Sequence, residues 1–371
     1  MSRFRFLLLT PVLGISFLGG MTLARAQTVV ENAVYAVDQA MRNYNLIAFG
    51  NASFSNNYGD TEGGLAVQGN LYVNGGAIAT RPELYGLTAD PTLYVTGNLT
   101  LGSNTTYVSN GYASIAPSTT GTWTEGNRRL SGVNGGSGTL ETHGSSPNAT
   151  IDPRSNAAPA GWDWLSMKTT FEQASATLAA ATPTGSISVG NGQALTFSAN
   201  GQTSGVVVFT LDMADFSSNS VYQGSSVSQV RVDVPNDVTY VVNVVNATNT
   251  SVFEGLNFNA GQNNDQLLWN ITPSNNPGLG SSISLGGNNR DFFGSILAPS
   301  MNISNNSSRI TGQVVANNYT HTGVELHYIS FDSTVSFSPV PEPNAWGLSA
   351  MATAFLAILR RPRRSSAPLA A

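Results

Sequence analysis

Few residues of this chain could do chemistry. His321, Glu325 and His327 fall at even spacing, so on one β-strand they would share a face. Two imidazoles and a carboxylate make a ligand set for a transition metal. The competing reading has them closing the end of a repeat, with Glu325 accepting hydrogen bonds from nearby backbone. Asp60 and Glu62 flank Thr61 in what reads as a tight turn. Paired carboxylates cleave glycosides, but two acids in one loop also serve as a solvated turn or a cap. His143 lies in a Gly/Ser loop and reads as solvated. Carboxylates also ligate Ca²⁺, yet the Gly-Gly-x-Gly-x-Asp repeat of calcium-loaded solenoids is absent. No Walker loop, serine nucleophile elbow or Gly-x-Gly-x-x-Gly before a helix occurs. With no Cys, a thiol nucleophile, a disulfide scaffold and a Cys-ligated zinc are excluded. No catalytic residue, cofactor or resident metal is expected.

The elements that would position these groups are β-strands. Of 371 residues, 10% are charged and one is Lys (Lys168), while Gly contributes 38 and Asn 37. Exposed helices use Lys and Glu heavily, whereas a Gly, Asn, Ser and Thr excess favours short strands and many turns. The 41% hydrophobic content is patterned, so the chain is not a disordered one.

Leu65-Ala66-Val67-Gln68-Gly69-Asn70-Leu71-Tyr72-Val73 aligns at an offset of 28 with Leu93-Tyr94-Val95-Thr96-Gly97-Asn98-Leu99-Thr100-Leu101. Apolar residues alternate in both, and the shared Gly-Asn reads as a bend or bulge. Towards the other end the offset is 18. Ile283-Ser284-Leu285 aligns with Met301-Asn302-Ile303, and Phe292 to Ala298 with Ile310 to Ala316. A coil of 18 to 28 residues with two short strands and polar corners is the signature of a β-solenoid, whose coils bury their apolar faces by stacking. A sandwich would also alternate, but nothing in it requires the register.

One helix is expected, at about 162–180. Trp164, Met167, Phe171, Ala174 and Leu178 recur at helical spacing, Asp163 stands at its start and Pro183 beyond its end. It should cover the solenoid flank with Lys168 exposed. Ala194 to Phe197, Val206 to Leu211, Val227 to Val234 and Val238 to Val245 read as strands, the last two joined by a Pro235-Asn236-Asp237 hairpin turn. Residues 104–160 read as an irregular excursion.

Both ends are addresses. Arg3 and Arg5, an apolar run from Phe6 to Leu18 and the small-x-small triplet Ala24-Arg25-Ala26 make a signal peptide, 1–26, cut after Ala26. Val340-Pro341-Glu342-Pro343 precedes an apolar stretch, 345–359, and a cluster of Arg360, Arg361, Arg363 and Arg364. The stretch is slightly short for a membrane span but workable in a thin bilayer, and the arginines would stay cytoplasmic. Between the ends, residues 27–345 carry 21 acidic and nine basic residues, a net charge of −12. That disfavours nucleic acid and anionic lipid as partners.

The C-terminal arrangement closely resembles the PEP-CTERM sorting signal of Gram-negative bacteria that make extracellular polysaccharide. The resemblance implies, over 339–364, recognition and processing by an exosortase, a membrane cysteine protease, with transient inner-membrane anchoring before surface display or release. The body resembles the choice-of-anchor A family of bacterial surface proteins. It does so through Tyr44 to Asn51, Glu62 to Asn70, Leu268-Trp269-Asn270, Gly294 to Pro299, Gly312 to Ala316 and Glu325-Leu326-His327. That resemblance, over roughly 32 to 332, implies display on the cell surface and no known enzymatic activity or ligand. The closing coils are more distantly similar to ice-binding solenoids of the adhesion type.

The sequence thus describes a mainly β protein: a β-solenoid body over 27–338 with one flanking helix, an N-terminal signal and a C-terminal transmembrane helix. Its first functional reading is a non-enzymatic surface or matrix protein facing extracellular polysaccharide. The second is an ice- or surface-binding solenoid, which needs an array of aligned Thr; along the chain Asn98 interrupts Thr96 and Thr100. The third is a polysaccharide-active enzyme. Pro341 and Pro343 keep the sorting segment extended, and Glu342 gives a protease a charge to read. Glu342→Ala is therefore expected to leave the protein unprocessed in the inner membrane with its body folded. Equal mature mass and surface display for both proteins would leave a plain tail anchor.

Overall fold

A strand with one apolar face must find cover for it, and here each strand lies beside its counterpart in the next coil. The computed structural model describes residues 12–41, 44–55, 59–81, 90–190, 192–216, 221–247, 251–252, 256–261, 263–273, 282–285, 291–306, 309–322 and 325–337. Residues 30–337 form one unit; the other comprises 1–29 and 338–371. The sorting residues Pro341, Glu342, Pro343, Arg360, Arg361, Arg363 and Arg364 and the 345–359 stretch lie outside the described residues. Ala24 and Ala26 fall within helix α1, Val12–Met41. No helix among the described residues is long and apolar enough to cross a membrane.

Leu65 pairs with Leu93, Val67 with Val95, Leu71 with Leu99 and Val73 with Leu101, all in parallel and all at the offset of 28. The 18-residue offset holds for Phe292 with Ile310 and Ile296 with Val314. It fails where Ile283 pairs with Ile303, at 20, and Ile303 with Tyr319, at 16. The turns between coils differ in length, so one period cannot serve the whole circuit.

Each complete coil contributes three strands, not two. One coil holds Tyr44–Ala48, Ala52–Phe54 and Asp60–Thr61; the next holds Gly64–Val67, Leu71–Val73 and Gly76–Ile78. Ser295–Asn305 and Val314–His321 bend at a corner, so each supplies two faces from one strand. The result is a mainly β body with three faces of stacked, largely parallel strands around a core that includes Leu46, Phe54, Val67, Val73, Tyr240, Trp269 and Ile296. The solenoid expected from the repeats is present in the backbone pairing itself.

The stacking order departs from the chain order. Across the first face the strands run Ala113–Ile115, Leu93–Val95, Gly64–Val67, Tyr44–Ala48, Val314–His321, Ser295–Asn305, Leu267–Pro273, Val238–Ala247 and Gly205–Asp212. The first coil of the body thus lies against its last. Leu46 pairs with Val314 and Ala48 with Ala316. Asn45, fully buried, donates through Nδ2 to the carbonyls of Gly312 and His327 and accepts from the Gly63 amide. Buried Gln313 donates to the carbonyls of Met41 and Tyr44 and accepts from the Phe331 amide.

Among the described residues two helices cover the first face, where the sequence pointed to one. Helix α2, Trp164–Ala179, is capped by Asp163, whose carboxylate accepts from the Ser166 amide at 3.0 Å. It buries Phe171, Ala174 and Leu178. Trp164 is half-buried and stacks on Tyr94 with ring centroids 5.7 Å apart, and Lys168 is only partly exposed, 3.9 Å from Glu172. Asn270 donates to the Ser175 carbonyl and to Asn243, which donates to the Leu178 carbonyl, so the helix is also held by buried polar bonds. The end of α1 adds Val30, Val34, Val37 and Met41 to the same layer, against Ile47, Val315 and Leu297. Buried on both sides, these strands read as continuous apolar runs, as parallel sheets do.

Two further expectations change. Gln229–Val232 and Val238–Ala247 do not form a hairpin: the first pairs with Ala194–Ser198 and Asn257–Ala260, the second with Gly205–Asp212 and Leu267–Pro273. Pro235 to Asp237 turns a corner between faces. Within 104–160, Thr105–Val108 and Ala113–Ile115 continue the stacks before the chain departs into short antiparallel strands.

The core is tight enough to test. Val314 is 1% exposed between Leu46 and Ile296. Val314→Asp buries an unpaired charge and should cost about 4 kcal/mol or more in urea denaturation. A loss below ~1 kcal/mol would take this position out of the core.

Candidate functional site

The second face is built from Ser282–Leu285, the later halves of Ser295–Asn305 and Val314–His321, then Ala52–Phe54, Leu71–Val73 and Leu99–Leu101. Alternation sends Ile283, Ile303, Tyr319, Phe54, Val73 and Leu101 inward. The outward positions fall in register: Ser284 on Ser304, Ser304 on Thr320, Thr320 on Ser53, Ser53 on Tyr72, Tyr72 on Thr100. This is an unbroken row of hydroxyl side chains crossing six strands. Neighbours in the row repeat at the strand separation of about 4.8 Å, and rows follow one another at about 6.6 Å along the strands.

An amide row borders it. Asn302 pairs with Asn318, whose Nδ2 donates to Asn302 Oδ1 at 2.6 Å. The side-chain oxygens of Asn318, Asn51 and Asn70 accept from the backbone amides of Asn51, Asn70 and Asn98 at 2.7, 2.8 and 2.9 Å. Such a ladder holds successive coils at one spacing. The glycines before it allow the approach: a Cβ on Gly69 would lie 2.5 Å from the Gly50 carbonyl oxygen, and one on Gly97 2.3 Å from that of Gly69. The Gly-Asn repeat is therefore a corner where backbones nearly touch. No Asp, Glu, Lys or Arg stands in any strand of this face.

The third face is different. Its central outward row runs Arg309, Glu325, Asp60, Ala77, Tyr107, Glu141, Arg129, again in register. Arg309 is paired with Asp291 and Arg81 with Glu62. Burial holds the Asp60 carboxyl above its usual range despite a hydrogen bond from Thr80, and Glu325 and Glu62 push the same way. Asp60 and Glu62 thus belong to a strand and the bend after it, not a tight turn. Glu62 accepts from the Tyr328 amide at 2.8 Å, a bond that ties the last coil to the first.

His321, Glu325 and His327 do not share a strand face. His321 ends Val314–His321 and points into the core; Glu325–His327 is a separate strand on the third face, where His327 Nε2 lies 2.6 Å from Glu325. No group of three metal-ligating side chains forms among the described residues. His143 is exposed, as expected, and lies 3.2 Å from Glu141.

Sequence reading missed the hydroxyl row because it sought Thr along one strand. The signal was there across coils: the 28-residue offset already puts Tyr72 beside Thr100. Ser304 and Thr320, 16 residues apart, were hidden by the assumed period of 18.

Residues 37–328 match the model of a family described as an ice-binding-like adhesive domain. Among solved structures, an ice-binding protein from an Arctic yeast aligns at 13% identity over 82% of this chain and 95% of that one, with a TM-score of 0.32. An ice-binding protein domain of Shewanella frigidimarina aligns at 14% identity over 80% and 96%, TM-score 0.33. One from the Antarctic ascomycete Antarctomyces psychrotrophicus aligns at 11% identity over 80% and 97%, TM-score 0.29. No curated protein matches.

Directly behind the hydroxyl row, His321 lies in the core, its Nδ1 3.1 Å from both Asn305 Nδ2 and the Tyr319 hydroxyl. Burial lowers its pKa from 6.5 to about 4. The unfolded chain therefore takes up the proton first as pH falls. Stability is intact above about pH 6.5 and drains away towards pH 4, by about 3 kcal/mol in all. In denaturant titrations His321→Gln should lose less stability than wild type over that interval. Parallel losses would mean that His321 is charged or solvated in the folded protein.

Proposed function

The chain belongs to the ice-binding-like adhesive domain family, and from that premise we propose that its second face binds an ordered solid surface, with ice as the test case. The observation that carries this reading is the in-register row Ser284, Ser304, Thr320, Ser53, Tyr72 and Thr100 on an uncharged face. Hydroxyls and amides fixed at a regular spacing can hold water in a matching arrangement, whereas a charged group would impose its own shell. The backbone ladder and the asparagine ladder fix these groups before any contact, so little ordering entropy remains to oppose adsorption. The β-branched Thr side chains add stiffness of their own.

The sequence ranked a polysaccharide-facing matrix role first and surface binding second; the family and the hydroxyl row favour the reverse order. The reading is non-enzymatic in either case. It includes export through the 1–26 signal and a choice-of-anchor A-like body over 27–338. It also includes processing of 339–364 by an exosortase-type protease that delivers the body to the cell surface or medium. Support for these steps comes from the residues of the two ends and from a domain family described as adhesive.

Wild-type protein is expected to shape ice crystals and to depress their growth temperature. Thr320→Lys, at the centre of the row, should lower that activity roughly tenfold, the factor of a ~1.4 kcal/mol loss, with an unchanged melting temperature. Absence of ice shaping by wild type, or full activity of Thr320→Lys, would return the matrix reading to first place.

A further inference from the structure

The third face carries a feature that surface adsorption on the second does not use. Tyr107 is 38% exposed. On one side its neighbour in register is Glu141, and His143, just past the end of that strand, meets the Tyr107 ring in a T-shaped contact at 5.3 Å. On the other side its neighbour is Ala77, a single methyl, and beyond Ala77 comes Asp60. Asp60 and Tyr107 are two strands apart, about 10 Å, with Ala77 as the floor between them. One side of this notch is an aromatic ring and the other a carboxylate. Asp60 is held by the Thr80 hydroxyl, which donates to Oδ2 at 3.0 Å. Glu141 is bracketed by His143 and Arg129 at 3.2 and 3.7 Å.

We propose that the notch between Tyr107 and Asp60, floored by Ala77, binds a pyranose ring of an extracellular glycan. A sugar ring presents an apolar face of C–H groups and a rim of hydroxyl donors. The Tyr107 ring matches the first, as an aromatic body with a polar tip does at binding surfaces. The Asp60 carboxylate accepts from the second, and bonds to a charged acceptor are the stronger kind. A bulkier residue in place of Ala77 would fill the notch, since the neighbouring coils carry the larger Asp60 and Tyr107 at the equivalent positions. The site is independent of the hydroxyl row: it lies on another face and takes a soluble ligand.

Isothermal titration with two hexasaccharides tests this on the intact body: cellohexaose, which is neutral, and glucosamine hexaose, which is cationic. Binding of either by wild type is expected. It should weaken by about tenfold or more in both Tyr107→Ala and Ala77→Leu, with melting temperatures unchanged, and persist in Thr320→Lys. A preference for the cationic probe that survives 0.5 M salt would assign the glycan as an amino sugar; equal affinities would assign a neutral one. No binding of either probe, or binding that both notch variants retain, overturns the proposal. Either result leaves the ice assay, which reads the other face, unaffected.

Discussion

The contact between the first and last coils is what turns two half-stacks into one body. Leu46 on Val314 continues the apolar core across a gap of well over two hundred residues. Asn45 and Gln313 satisfy buried backbone on either side of it. A coil cannot bury its own apolar side, so without this seam both half-stacks would end in an exposed core. Buried amides left unpaired there would cost more than their bonds contribute when made. The seam also makes folding depend on a contact of long sequence separation, which is entropically slow to form.

Each face then inherits a different task from the same alternation. Inward residues are largely alike on all three: Leu, Val, Ile, Ala and aromatic. Outward residues diverge. On the first face they are mostly apolar or amide, many of them beneath the helices; on the second they are hydroxyl and amide and open to water; on the third they carry most of the strand-borne charge. The low overall charge of the chain is therefore not evenly spread, and the uncharged second face stands out against the ionic third.

Much of this was legible. The 28-residue offset named the true strand partners of Leu65, Val67, Leu71 and Val73, because the Gly-Asn corner between the two strands has the same length in both coils. The helix at Trp164 was legible because its apolar stripe and its Asp163 cap agree. The end of α1 was not read, although Val30, Val34, Val37 and Met41 have helical spacing; the solenoid body was drawn from residue 27 with a single helix at 162–180. Pro235 to Asp237 looks like a hairpin locally, but the core rewards parallel stacking of both flanking strands, and tertiary pairing overrode the turn. The stacking order itself leaves no local trace, since nothing in Tyr44 to Ala48 says that its partner lies near residue 314. For the same reason the hydroxyl row and the Tyr107 notch, both assembled from several coils, could not be found by scanning one strand at a time.

Because the chain enters and leaves the stack at its middle, both distal ends of the solenoid, at Ala113–Ile115 and Gly205–Asp212, are formed by internal segments. Length is thus a free variable of the architecture. A coil duplicated on either side of the seam would add one rung to each face and leave the seam itself untouched. The area of the hydroxyl face would grow rung by rung, while the first and last coils stayed in contact.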